Sequence, residues 1–232
     1  MEIVIPSRFN GPPSTGNGGY SCGLLAAHVG ASAEVTLRKP PPLDRKLRVE
    51  ADEVGVRLLD GEALIASARA AEPVLTVPEP PTYEQAGAAE SEFVGFDFHH
   101  FETCFVCGTK RADGLRLYTG KVADRELVAS AWTPDDSVAN ADGSVQSAVV
   151  WSALDCPTYF AGRMKQWGLW AVLGRQTAKL LAPLRAGEPH LVVAWPIAKE
   201  GRKFEGGAAV FTQAGELRAY GRGLWIEIPA PA

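Results

Sequence analysis

The stretch Gln146-Ser-Ala-Val-Val-Trp-Ser-Ala-Leu-Asp155 decides how this chain is read. From Ala148 to Leu154 only Ser152 is polar. A helix of that composition has no polar face to give to water and must be buried on most sides. A strongly curved sheet wrapped around it would do this. The segment ends on a carboxylate. Pro157 removes a backbone donor and biases Cys156 away from helical angles, so a kink or stop is expected near Asp155. An acid placed there is expected to be partly desolvated, which raises its pKa. A buried acid is costly without a partner, which makes Asp155 a candidate functional group.

Composition sets the outer bounds. The 232 residues (24.7 kDa) suffice for one large domain or two small ones. Apolar residues make up 46% and charged residues 22%, which excludes a disordered chain. The 24 glycines and 17 prolines imply many turns. With 27 acids against 23 bases, neither nucleic acid nor a membrane is expected as a partner. No run of about 18 apolar residues exists to cross a bilayer. Glu2 and the short apolar start do not read as a signal peptide. Four cysteines form no disulfide framework, so a reduced, cytoplasmic protein is expected.

The order of elements occurs twice. Gly16–Gly19 leads into an apolar helical run, Tyr20–Val29. Strand-like runs follow at Ala33–Lys39, Leu47–Gly55 and Val56–Ala71, the last holding the hairpin signal Asp60-Gly61. Asn140–Ser144 leads in the same way into Val145–Leu154. Runs at Trp170–Leu181, His190–Ala198, Gly207–Gln213 and Leu217–Ile228 follow. Glu2–Ile5 reads as an opening strand for the first half, and Cys104–Leu117 with Leu127–Trp132 as an opening hairpin for the second. The Pro- and Ala-rich stretch Glu72–Ala89 reads as the linker. The boundaries expected are 1–80, a linker at 81–90, and 91–232. A single α+β domain with chance similarity is the alternative.

One helix and several antiparallel strands, twice over, is an α+β pattern. It resembles the hot-dog fold in tandem: a double hot-dog of two curved antiparallel sheets, each wrapped around a central helix. Three segments carry a resemblance to phenylacetyl-CoA-type thioesterases. Cys104-Phe-Val-Cys107-Gly108, followed by Asp113-Gly114-Leu115-Arg116-Leu117, resembles the family's CFxCG…GLxL opening strand. Gln146–Asp155 resembles its HGGxxxxLLD helix, with Gln146 at the His, Ser147 and Ala148 at the glycines, and Asp155 at the catalytic carboxylate. Asn17-Gly18-Gly19-Tyr20 through Ala26 fits the same template, with glycines present and Ala26 at the acid.

The two helices have therefore decayed in complementary ways. The family builds its site across an interface, with glycine N–H groups from one side and a carboxylate from the other. The resemblance implies one working site here, made from Gly18, Gly19, Tyr20 and Asp155. Helix-start N–H groups favour an anion such as the oxygen of an attacked thioester. The N–H of Gly19 or Tyr20 is expected to serve, with no Cβ on Gly18 or Gly19 to block a ligand. Asp155 is expected to act as general base or nucleophile. Asn17 is expected to cap the helix. Gln146 and Thr158 are second-tier binding or orienting groups, and Trp151 is a candidate wall of an acyl pocket.

The expected activity is hydrolysis of an acyl-CoA or acyl-carrier thioester, without a cofactor. A non-catalytic binder of acyl or hydrophobic ligands is the alternative. A hydratase would pair an acid with a histidine, and only His28 lies near either helix. The single CxxC has two candidate partners for zinc in His99 and His100. With no second CxxC, the structural reading is preferred and no metal is expected. Arg163, Lys165, Arg175, Lys179, Arg202 and Lys203 are possible phosphate partners. Most hot-dog relatives are dimers of dimers, so a homodimer is expected.

Overall fold

The computed structural model describes residues 1–230; residues 231–232, the end of the expected second half, lie outside the described residues. The first part of the chain forms β1 (Glu2–Val4), α1 (Gly18–Ala26), β2 (Ser32–Leu37), β3 (Lys46–Ala51), β4 (Val56–Asp60) and β5 (Ala63–Ala70). After α2 (Tyr83–Ala89) come β6 (Gly120–Lys121), β7 (Val128–Trp132), α3 (Ser147–Ala153) and α4 (Cys156–Met164). The chain ends in β8 (Ala171–Leu180), β9 (His190–Glu200), β10 (Lys203–Thr212) and β11 (Leu217–Glu227).

All eleven strands join one antiparallel sheet, in the order β1-β3-β4-β5-β2-β8-β11-β10-β9-β7-β6. The first five and the last six meet where β2 pairs with β8, with Ser32 opposite Lys179 and Thr36 opposite Arg175. Apart from β6, the order of the first five strands recurs in the second set, running inward from the edge to the β2–β8 seam. The hairpin signal at Asp60-Gly61 closes β4 onto β5, and Gly61 has φ 58°, a value that glycine accepts without strain.

Two sequence expectations need correction, and the stretch read as linker gains a helix. Cys104–Leu117 forms turns and irregular chain, and β7 instead pairs with the two-residue β6. Within the stretch read as linker, Tyr83–Ala89 is helical, started by a Thr82–Gln85 capping box. The kink or stop expected near Asp155 is present, with α3 ending at Ala153, but Cys156, expected to be turned away from helical angles, opens a further helix. α4 begins at Cys156 with Pro157 in its first turn, where the missing N–H costs nothing.

Burial explains why β9 is apolar over consecutive residues. Val192 and Ala194 face the main core, whereas Leu191 and Val193 face a smaller cluster beneath α2 with Ala86 and Ala89. With both faces covered, the polar–apolar alternation of a half-exposed strand is not needed. The main core holds the two apolar helices α1 and α3, which lie directly against each other. A Cβ on Gly19 would meet Ser152, and one on Gly23 would meet Ala148. The contacts run backwards along α3 as α1 advances, so the pair is antiparallel. The start of α1 therefore faces the end of α3.

This close approach gives a first test. A Cβ on Gly23 would lie 2.6 Å from Ala148 Cα and 2.7 Å from Trp151 Cβ. Replacing a helical glycine by alanine gains up to about 1 kcal/mol in propensity. Overpacking against backbone costs about 1–3 kcal/mol, so strain wins. Gly23→Ala is expected to lower the melting temperature by several degrees in calorimetry. A raised melting temperature would show that the helices are not held at this spacing.

Candidate functional site

Asn17 ends the loop before α1 and works in two directions. Its Oδ1 accepts from the Tyr20 N–H at 2.8 Å, capping the helix. Its Nδ2 donates to Asp155 Oδ2 at 3.1 Å. The Gly19 N–H donates to the same oxygen at 2.8 Å. Residues 138 positions apart are thus tied together where α1 begins and α3 ends. The positive end of the α1 dipole adds to the attraction for a carboxylate.

Asp155 is 1% exposed, and its Oδ1 has no hydrogen-bond partner. Burial pushes its pKa up to about 7, opposed by the Gly19 and Asn17 donors and reinforced by the nearby Cys104 thiol. Near neutrality the group is divided between acid and carboxylate. The residue lines a cavity of about 550 Å³. Tyr159, Phe160, Trp170 and Trp225 supply aromatic wall. Exposed Arg38 and Lys39 and half-buried Arg163 also border the cavity.

The sequence-expected residues divide into two groups. Asn17, Gly18, Gly19, Tyr20 and Asp155 come together. Gly18 lines the cavity, and its N–H has no acceptor among the described residues. The N–H groups of Gly19 and Tyr20, expected to be open to substrate, are bonded to Asp155 and Asn17. Gly19 lacks a Cβ for a different reason from the one expected. A Cβ there would lie 2.4 Å from Asp155 Cβ and 2.8 Å from Ser152 Cα, so this glycine admits the neighbouring helix. The Tyr20 ring is buried in a stack on Phe9, with centroids 3.9 Å apart.

The other candidates lie elsewhere. Gln146 sits at the opposite end of α3 without capping it through its side chain, which donates to the Ala139 carbonyl. Trp151 is core, packed where α1 comes closest at Gly23, and is not in the cavity lining. Thr158 is fully buried; its hydroxyl donates to the Asp155 carbonyl at 2.7 Å and accepts from Trp225 Nε1 at 2.7 Å. It braces the backbone of Asp155 and does not touch the carboxylate. Of the six cations the sequence offered for phosphates, Arg163 alone borders the cavity.

Beside Asp155 the CxxC cysteines are joined by a third, Cys156. Cys104, Cys107 and Cys156 are buried and free, with their sulfurs all within 4.8 Å of one another. The neighbouring Cys107 and Cys156 thiols hold the Cys104 thiol well below the usual range, while burial pushes the Cys107 thiol up and the Cys104 and Cys107 sulfurs push the Cys156 thiol up. The CxxC was visible in sequence, but nothing in the spacing tied it to Cys156. His99 also reaches the cavity, from a loop with no helical or strand signature.

No family model matches the chain, and no curated protein matches it. Solved structures do. A conserved protein of unknown function with a hot-dog fold from Alicyclobacillus acidocaldarius superposes with a TM-score of 0.63 at 12% identity, covering 100% of this chain and 93% of that one. A presumed thioesterase II from Thermobifida fusca gives 0.60 at 14%, covering 98% and 92%. The TesB protein of Mycobacterium avium subsp. paratuberculosis gives 0.56 at 13%, covering 90% and 83%. Identities this low speak to architecture, and over almost the whole chain they agree: the protein has the hot-dog fold.

Proposed function

We propose that this protein is a hydrolase of acyl-CoA thioesters whose active site lies between two fused hot-dog units, residues 1–80 and 91–232, joined by the segment 81–90. The repeated strand order and the antiparallel contact of α1 with α3 support the division. The observation that carries the activity is the Asp155 carboxyl. One oxygen is pinned by Gly19 and Asn17, and the other is unpartnered in a residue lining the cavity.

In this reading Oδ1 accepts a proton from a water molecule as the water oxygen attacks the thioester carbonyl. Negative charge develops on the carbonyl oxygen, and the Gly18 N–H at the start of α1 is placed to receive it. Collapse of the tetrahedral intermediate breaks the C–S bond. The sulfur leaves as thiolate and takes the proton held by Asp155. Asn17 and Gly19 act as positioning residues, because they hold the carboxyl without touching the reacting atoms. The aromatic wall suits an apolar acyl chain. Arg38, Lys39 and Arg163 form no ion pairs among the described residues. They are available to the phosphates of coenzyme A.

Thiol release by purified protein is to be measured against short-chain, long-chain and aromatic acyl-CoA esters. The wild type is expected to turn over at least one class. Asp155→Asn is expected to lower kcat about 10²-fold or more with little change in fold. A wild type that hydrolyses no ester, but binds acyl ligands as tightly as Asp155→Asn does, would replace the enzyme by a non-catalytic binder.

The cations give a separate expectation. Reversing charge in Arg38→Glu/Lys39→Glu is expected to raise KM about tenfold, roughly 1.4 kcal/mol of binding, with kcat nearly unchanged. An unaltered KM would remove these residues from phosphate recognition.

A further inference from the structure

The three clustered cysteines come from separate places. Cys104 and Cys107 lie in one tight turn after His99, and Cys156 opens α4, 52 residues beyond Cys104. The turn is held by the Gly108 N–H donating to the Cys104 carbonyl at 2.9 Å. A Cβ on Gly108 would sit 2.5 Å from that oxygen, so the Cys-x-x-Cys-Gly order is needed for the two cysteines to converge.

The sulfur spacing fits a metal polyhedron. Cys104 Sγ and Cys156 Sγ are 3.7 Å apart, and all three sulfurs lie within 4.8 Å of one another. Zinc–sulfur bonds of about 2.3 Å at tetrahedral angles place neighbouring sulfurs about 3.8 Å apart. Little movement is therefore needed to bring three thiolates onto one ion.

The surroundings supply donors that an inert buried thiol does not need. Each sulfur has a nitrogen beside it. Asn17 Nδ2 lies 3.7 Å from Cys156 Sγ and 3.9 Å from Cys104 Sγ, and His99 Nε2 lies 3.3 Å from Cys107 Sγ. The Phe101 N–H donates to His99 Nδ1 at 3.0 Å, which leaves the ring proton on Nε2, pointing toward Cys107. His99 is thus set as a donor to the sulfur, the part that groups around a metal's ligands commonly play. Apolar packing of cysteine needs none of these donors. Three soft ligands select a thiophilic ion, and zinc is the redox-inert member of that class.

We propose that Cys104, Cys107 and Cys156 bind one zinc ion as thiolates, with its fourth position facing the cavity beside Asp155. Each thiol releases its proton to solvent on binding, and no electrons are exchanged. The ion would clamp the 99–107 loop to the start of α4, and so fix the cavity wall next to the carboxyl. The test reads metal and does not depend on thioester turnover, so it can fail or succeed whatever becomes of the hydrolase reading.

Protein purified under reducing conditions from zinc-supplemented cells is to be analysed by inductively coupled plasma mass spectrometry. About one zinc per chain is expected. Cys156→Ser is expected to lose nearly all of it, while Cys22→Ser, altered in a buried cysteine outside the cluster, keeps it. In case Cys156→Ser fails to fold, wild-type protein exchanged into cobalt is expected to show thiolate-to-metal charge-transfer absorption. Metal-free wild-type protein that gains no such absorption on adding cobalt would overturn the proposal. So would zinc retained in full by a folded Cys156→Ser.

Discussion

The contact between the Asp155 carboxylate and the start of α1 is the constraint from which the rest of the site follows. Two donors, the Gly19 N–H and Asn17 Nδ2, meet on one oxygen of a carboxyl almost without solvent exposure. Such bonds to a charged acceptor are stronger than neutral ones, and stronger again where the dielectric is low. They offset part of the cost of burying the acid and leave its other oxygen unsatisfied. For the contact to form, α1 must approach α3 closely, which the missing side chains of Gly19 and Gly23 permit. The helix pair in turn needs sheet on its outer sides, and the β2–β8 pairing makes that sheet continuous.

Much of the frame was legible. The apolar run at Ala148–Leu154 announced a buried helix, and the Asp60-Gly61 signal closed a hairpin where expected. The opposed losses in the two helices paired Asp155 with Gly18–Tyr20, and in the structure the Gly19 N–H donates to the Asp155 carboxylate. The spacing could not say which donors would remain open. Gly19 and Tyr20 lie one residue apart, yet one N–H is taken by a residue 136 positions away and the other by the local cap. Gln146 and Trp151 belong to the same helix as the motif that ends at Asp155. Their separation from the site follows from the antiparallel packing, which one helix alone does not reveal.

The irregular segments were the least legible. Residues 93–117 carry neither helical nor strand periodicity in the structure, so pattern reading had nothing to grip there. This loop brings His99, Cys104 and Cys107 to the cavity. It is anchored through side chains: Arg111 bonds the Arg8 and Thr103 carbonyls, and Phe105 packs on Phe9 and Tyr20. Contacts of that kind are specified by three-dimensional fit. Strand-like composition at Phe105-Val106 misled for the same reason, because burial there serves a turn.

The most direct measurement is a crystal structure of Asp155→Asn soaked with an acyl-CoA that the wild type hydrolyses. The variant keeps the shape of the side chain and removes the proposed base, so the ester is expected to survive. The account predicts the thioester carbonyl carbon within reach of a water held by the side-chain amide at position 155. It also predicts the carbonyl oxygen within hydrogen-bond reach of the Gly18 N–H, at about 2.7–3.1 Å. An ester lodged in another part of the molecule, or with its carbonyl turned away from position 155 and the start of α1, would contradict it.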